Sequence, residues 1–218
     1  ACRHECPANF DVSKFKSEVL AQHHHRNGTP VRARLFGSIR PLAKLGSRFH
    51  HLTNLIQNTP PARYFMNHWL GLAPGRSLPK FSKSLFSRWK PNHSPNAPTV
   101  ILMADCFSCF YESDLGLAAI KVLEAFGYQV VLEDVGCCGR TNISVGRLDA
   151  ARKNIEQTAP AIEGLRQKHD AIAILALEPS CASAMQEDWG ELKTDVPTTT
   201  TANVAKHTAS LESFLLNH

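Results

Sequence analysis

The chain has 218 residues, 43% hydrophobic and 20% charged, with a formal net charge of +5. That length suits one or two compact domains, and the composition is ordinary for a globular protein. No apolar run reaches the roughly 18 residues of a transmembrane helix, and the N-terminus lacks the charged-then-apolar pattern of a secretory leader. Together these predict a cytoplasmic protein, at most peripheral to the inner membrane. The first methionine is Met66 and the chain begins inside "ACRHECP", so it reads as a piece of a longer protein.

Residues 1–22 open with a short cysteine motif, Cys2 and Cys6, and run into a helix. Asp11 or Ser13 could cap that helix, and Phe15, Val19 and Leu20 form a partial apolar stripe. "HHHRNGTP" then turns at Asn27-Gly28 and Pro30. Residues 23–98 read as a basic helical segment with breaks at Pro41, Gly46 and Pro60-Pro61. They end in the Pro-, Gly-, Ser- and Asn-rich stretches "GLAPGRSLPKFSKS" and "KPNHSPNAPT", which read as extended linker with a boundary near Pro98.

After Pro98 the periodicity sharpens. "TVILMAD" reads as a buried strand. "ESDLGLAAIKVLEAFG" is an amphipathic helix with Leu115, Ala118, Ala119, Val122 and Phe126 on one face, stopped by Gly127. "YQVVLED" is a second strand. "RLDAARKNIEQTAPAIEGLRQK" is a second helix, with Leu148, Ala151, Ile155, Ala159, Ile162 and Leu165 in register and a break or bend expected at Pro160. "DAIAILALE" is a third strand, "SCASAMQEDW" opens a helix and "ANVAKHTASLESFLL" is the last one. Continuous apolar strands alternating with helices predict an α/β unit over residues 99–218. Its parallel sheet would have three to four strands.

The charge is split. Residues 1–98 hold fifteen Lys+Arg against three Asp+Glu, a balance of +12; residues 99–218 hold nine against sixteen, a balance of −7. The asymmetry points to two structural units. The basic residues are dispersed, with no helix-turn-helix or RNP-like pattern, so we expect a solvated basic surface or one docked on an acidic partner, and no nucleic acid. His23-His24-His25 has polar and basic neighbours and reads as an exposed helix end. There is no Gly-rich nucleotide fingerprint and no Walker loop.

The seven cysteines are Cys2, Cys6, Cys106, Cys109, Cys137, Cys138 and Cys181. An odd count without a leader argues against a disulfide scaffold and for metal-ligating or redox thiols. Cys106 follows the first strand, Cys137 and Cys138 the second, and Cys181 the third. Parallel strands share one carboxyl edge, where ligands bind, so topology alone brings these cysteines together. Gly136 and Gly139 allow a tight turn there, and helix N-termini after Cys106 and near Cys181 favour a negatively charged occupant. Buried packing thiols, a strained vicinal disulfide and a four-thiolate zinc site are the competing readings. Cys-x3-Cys-Pro at Cys2 and Cys6 matches the closing half of the ferredoxin run.

"DCFSCF", "GCCGR" and "LEPSCAS" together resemble the cysteine-rich CCG domain found in heterodisulfide reductases and in the iron–sulfur part of glycolate and lactate oxidases. With "ECPANFDVSKFKSE", "RARLFGSI" and "GLAPGRSLPKF" the chain is similar to the C-terminal iron–sulfur region of FAD-linked D-2-hydroxyacid dehydrogenases of the D-lactate, D-2-hydroxyglutarate or glycolate type. The resemblance implies that Cys2 and Cys6 close a ferredoxin-like 4Fe–4S motif, and that Cys106, Cys137, Cys138 and Cys181 ligate a cluster of the CCG type. It implies electron transfer from FAD, bound by an oxidase region or partner protein outside this chain, to an acceptor such as a quinone or redox carrier. This piece alone would then catalyse nothing. The family pattern closes with Cys-x2-Cys, whereas here Cys181 is followed by Ala184; Cys109 is an extra thiol that could substitute. A second CCG domain is expected after His218. The alternatives are a thiol/disulfide redox domain of heterodisulfide-reductase type and a structural zinc-binding interaction module.

Overall fold

The computed structural model describes residues 11–92 and 97–217. Asp11 caps helix α1 (Val12–Asn27), its carboxylate accepting from the amides of Ser13 and Lys14. Gly28 ends α1 at φ +83°, and Pro30 leads into α2 (Val31–Gly37). The expected stripe of α1 is not its buried face. Phe15 and Val19 are largely exposed, and Ser17 is the residue it buries. The helix lies so close to Gly146 that a Cβ there would sit 2.4 Å from the Leu20 Cβ, and such an approach favours small side chains.

Three more helices follow: α3 (Ile39–Arg48), α4 (His50–Gln57) and α5 (Pro60–Leu70). Pro60-Pro61 starts α5 as expected, but Pro41 and Gly46 do not break the chain; both lie inside α3. Pro41 falls in the first turn, where an N–H has no helical partner to lose. Gly46 is the floor for the Phe81 ring, which a Cβ would meet at 2.3 Å.

The stretch expected to be extended linker has no helix or strand over 74–84, yet it is anchored. Asn54 and Phe81 exchange two hydrogen bonds of 2.8 Å, and the Ser82 amide donates to the Phe110 carbonyl at 2.8 Å. The short α6 (Leu85–Arg88) then buries Leu85 completely.

The sheet comprises β1 (Thr99–Leu102), β2 (Gln129–Val131), β3 (Ala173–Ala176) and β4 (Thr208–Ser210), in the order β2-β1-β3-β4, all parallel. The expected parallel α/β architecture is what the chain adopts. The fourth strand falls inside the tail expected to be one helix; that tail instead folds as α13 (Thr198–His207), β4 and α14 (Leu211–Asn217). Gln186 donates to the Thr208 carbonyl, and the Thr208 hydroxyl to the Val204 carbonyl, which hold this short strand in place.

Strand residues alternate between two cores, as a sheet covered on both faces requires. On one face Ile101, Val131 and Ile174 pack with Ile155, Ala159 and Ile162 of α10 (Leu148–Lys168). On the other, Val100, Leu102 and Leu175 pack with Ile120 and Leu123 of α8 (Ser113–Ala125), and with Leu85 and Ala43 from before Pro98. The face that the sequence pattern picks for α10 is the buried one. Of the face it picks for α8, Ala119 is buried, but Leu115, Val122 and Phe126 are exposed, and Gly116, Ile120 and Leu123 complete the side that faces the core. Gly116 admits Leu85, whose side chain would lie 2.6 Å from a Cβ there.

Pro160 neither breaks nor ends α10. Its missing N–H removes the helical donor for the Glu156 carbonyl, but Ala159 and Ile162 beside it are fully buried, and their packing outweighs that loss. No described helix is long and apolar enough to cross a membrane.

Candidate metal centre

The chain leaves β1 for β2 on one side and then crosses to β3 on the other. The crevice at the carboxyl ends of β1 and β3 is therefore the topological switch point. Asp105 stands there as the N-cap of α7 (Cys106–Phe110), accepting from the Phe107 and Ser108 amides at 2.8 Å and from the Ser108 hydroxyl. This cap starts α7 immediately after β1 and fixes Cys106 at the strand end. Burial raises the Asp105 carboxyl above its ordinary range.

After β2 the loop turns through Gly136 at φ +125° and Gly139 at φ +83°. At Gly136 a Cβ would fall 2.3 Å from the Thr158 hydroxyl, so only glycine fits. That hydroxyl donates to the Cys137 carbonyl at 3.0 Å, and the Trp189 indole N–H donates to the Cys138 carbonyl at 2.8 Å. Two buried donors from separate helices thus hold the backbone of the paired cysteines. Cys181 sits on α11 (Pro179–Ser183), capped by Glu178, and a π-helical turn over Ala184–Asp188 leads into α12 (Trp189–Glu191).

Cys106, Cys137, Cys138 and Cys181 are all buried and form a row. The Cys138 and Cys181 sulfurs are 2.9 Å apart, the Gly139 amide donates to the Cys137 sulfur at 3.5 Å, and Cys137 lies near enough to Cys106 and Cys138 to shift their acidities. Hydrogen bonds from Cys106 and Cys138 hold the Cys137 thiol down to about 3, against its burial; the Gly139 amide and Arg40 act in the same direction. Its neighbours move the other way. Cys106 is pushed up by its bond to Cys137 and by burial, and Cys138 by its bonds to Cys137 and Cys181.

Cys109 lies elsewhere. It is fully buried in the other core, with Ala43, Leu85 and Phe110, and burial followed by the Asp105 charge pushes its thiol up to about 12. Ala184, where the resembled pattern has its last cysteine, is fully buried in the core of the α10 face. Cys2 and Cys6 lie outside the described residues.

Arg40 belongs to the segment that the sequence presents as basic surface, and local pattern does not single it out. It is 7% exposed. It donates to the Ala104 carbonyl at 2.6 Å and to Asp134, lies 4.0 Å from the Cys106 sulfur, and stacks its guanidinium over the Phe110 ring. Burial opposes its charge, but the Asp134 bond and the sulfurs of Cys106 and Cys137 outweigh burial and raise its pKa. Asp134 is shared with Lys44. Burial alone would raise this carboxyl, but Lys44 and Arg40 hold it below the ordinary range. Thr158 and Trp189 carry no sequence signal beyond their burial either.

Among the described residues no three His, Cys, Asp or Glu side chains converge on one point to hold a single metal ion. A lone zinc needs four donors at about 2.3 Å from one centre. A row of thiols at three strand ends fits a multi-iron cluster better, because each thiolate then meets a different iron. The donor set is all sulfur and suits a soft metal. Seating a cluster requires the sulfurs to part from mutual contact.

A buried, sulfur-lined switch point on a doubly covered parallel sheet defines an α/β protein with a candidate redox centre. The similar curated proteins are dehydrogenases. The chain is 22% identical over 201 residues to D-2-hydroxyglutarate dehydrogenase of Escherichia coli (strain K12), covering 87% of this chain and 20% of that one. Its counterpart in Pantoea ananatis is 22% identical over 204 residues, with 88% and 20% covered. The C chain of the anaerobic glycerol-3-phosphate dehydrogenase of E. coli (strain K12) is 27% identical over 158 residues, 69% of this chain and 39% of that one. The chain thus spans between a fifth and two fifths of these relatives. No family model matches the chain, and no solved structure matches it.

Proposed function

We propose that this chain is the iron–sulfur electron-transfer portion of a dehydrogenase, with Cys106, Cys137, Cys138 and Cys181 as cluster ligands. The observation that carries this reading is the row of four buried thiols drawn from three strand ends. The similarity to D-2-hydroxyglutarate dehydrogenases supports a parent enzyme that oxidises a D-2-hydroxyacid at a flavin held outside this chain. On that reading residues 99–218 are the CCG domain. Residues 1–22 end a ferredoxin-like motif, and residues 23–98 are the basic segment covering the site.

When bound, the cluster supplies one-electron transfer between the flavin region and an acceptor. The chain's own residues bind and orient it. Thr158 and Trp189 hold the two ligand-bearing carbonyls, Arg40 places a permanent positive charge beside the thiolates, and the two cores exclude water. Anaerobic reconstitution with iron and sulfide tests the assignment. The expected result is a brown protein with stoichiometric iron. A colourless, iron-free protein that binds zinc instead would reject it.

One observation favours a second reading. Cys138 and Cys181 already stand 2.9 Å apart, so loss of two hydrogens to an oxidant would join them as a disulfide. Peptide mapping before and after dithiothreitol distinguishes the two: a thiol/disulfide domain shows a reversible Cys138–Cys181 bond and full function without iron.

A further inference from the structure

A cleft of about 550 Å3 opens between the α2–α3 junction and the start of α10, and Cys137 forms part of its wall. The volume is that of a small-molecule site. Four cations line it: Arg40, Lys44, Arg147 and Lys153. The one carboxylate present, Asp134, is already paired with Arg40 and Lys44. Among the described residues the Arg147 guanidinium donates to the Arg34 carbonyl and the Ser38 hydroxyl, and no acid pairs with Arg147 or Lys153. The lining therefore keeps a surplus of positive charge, and the amino end of the 21-residue α10 points its dipole the same way.

A second feature points to a ligand. Asn142 is 4% exposed and lines this cleft, and its Oδ1 has no hydrogen-bond partner. The Arg40 Nε, also buried, has none either. Gly37 keeps the approach open: a Cβ there would strike both Asn142, at 2.3 Å, and the Arg147 guanidinium, at 2.7 Å. Asn142 and Arg147 are thus neighbours with hydrogen-bonding capacity to spare. An unpaired buried amide is costly unless something meets it, and a turned amide donates where the present one accepts.

We infer that this cleft is a binding site for a small organic dianion, a dicarboxylate or a phosphate ester. Its charged ends are held by Arg147 and Lys153, and its body meets Asn142 and the Cys137 wall. The inference deepens the redox reading, since it sets a charge-selective entrance beside Cys137, but binding itself does not require a cluster.

The metal-free chain allows a test that is independent of iron. Iodoacetate and iodoacetamide alkylate the same thiol and differ in charge. The rate ratio of iodoacetate to iodoacetamide at Cys137, read by peptide mass spectrometry, should exceed that of the urea-unfolded chain by about tenfold. Glutarate should slow the labelling if the ligand is a dicarboxylate, and inorganic phosphate if it is a phosphate ester. Arg147→Gln should collapse the ratio; Lys153→Gln, on an exposed side chain that no packing depends on, should lower it without touching the fold. A ratio left unchanged by Lys153→Gln, or labelling that neither anion slows, would overturn the proposal. Loss of iron binding with the ratio intact would instead count against the cluster and leave the cleft standing.

Discussion

The two ends of the molecule hold their helices by different means. In α10 eight residues are buried; Ile155, Ala159, Ile162 and Leu165 share a core with the strands and α13, and Leu148 and Ala151 pack with Ile143. In α4 and α5 none is, and Leu52, Leu55, Tyr64, Phe65 and Trp69 stand more than half exposed. Between Glu18 and Asp105 there is no acidic residue and there are twelve Lys+Arg, so these helices have no internal ion pairs to draw on either. Helices of 8 and 11 residues are marginal alone. What ties this region down is a small set of polar and apolar anchors: Arg40 on Asp134 and Ala104, Asn54 on Phe81, Phe81 on Gly46, and Leu85 in the sheet core. The contrast teaches that the basic region is held at a few points, by Arg40 and Leu85 against the α/β unit and by Phe81 within itself, and not along its length.

Four measurements would break or sharpen that contrast. The largest effect is expected at the thiols. Cys137→Ser or Cys138→Ser should abolish iron binding after reconstitution, because a serine hydroxyl is a poor soft-metal ligand. Cys109→Ser should keep its iron and lose about 1–3 kcal/mol of stability, since it buries a hydroxyl in an apolar core. Iron content and urea unfolding of the three variants decide this.

Leu85→Ala comes next. A fully buried leucine against the sheet should cost about 2–5 kcal/mol, whereas Leu55→Ala, at 69% exposure, should stay within about 0.5 kcal/mol. Similar losses in both would mean that α4 is packed after all.

The Arg40 anchor should be worth less, about 1–2 kcal/mol at neutral pH, from its charge-assisted bond to a partly exposed Asp134. The sign follows from the depressed carboxyl. Its contribution is present above the unfolded value near pH 4 and is lost as the pH falls through the lower folded value. Wild type should therefore exceed Asp134→Asn at pH 7, and the two should converge in acid. A gap that persists once the carboxyl is fully protonated would remove the pairing from the account.

The smallest effect should fall on α8. Phe126→Asp, on the exposed stripe, should change stability by less than about 0.5 kcal/mol, although the sequence makes it look like core.

That stripe shows where sequence reading stops. The strand pattern, the parallel topology and the positions of Cys106, Cys137, Cys138 and Cys181 after strands were legible, because continuous apolar runs and helix spacing report local geometry directly. Leu115, Val122 and Phe126 repeat as well as Ile120 and Leu123 do, and hydrophobicity alone does not say which stripe faces the sheet. Gly116 decides it, by letting Leu85 in, and that contact joins segments far apart in sequence. Pro41, Gly46 and Pro160 mislead for the same kind of reason: position within a helix and packing around it override a residue's average preference. The strand β4 is three residues long, too short for any periodicity. Arg40 and Asn142 act across the fold, so nothing beside them in the chain announces them.

The indole of Trp189 has one consequence for the laboratory. It is 1% exposed and bonded to the Cys138 carbonyl, whereas Trp69 is 74% exposed. One tryptophan of three therefore sits in the wall of the sulfur row while another faces solvent. If the proposed cluster forms, its fluorescence emission, blue-shifted by burial, should dim when iron is seated and recover when iron is withdrawn, an optical gauge of loading that needs no added dye.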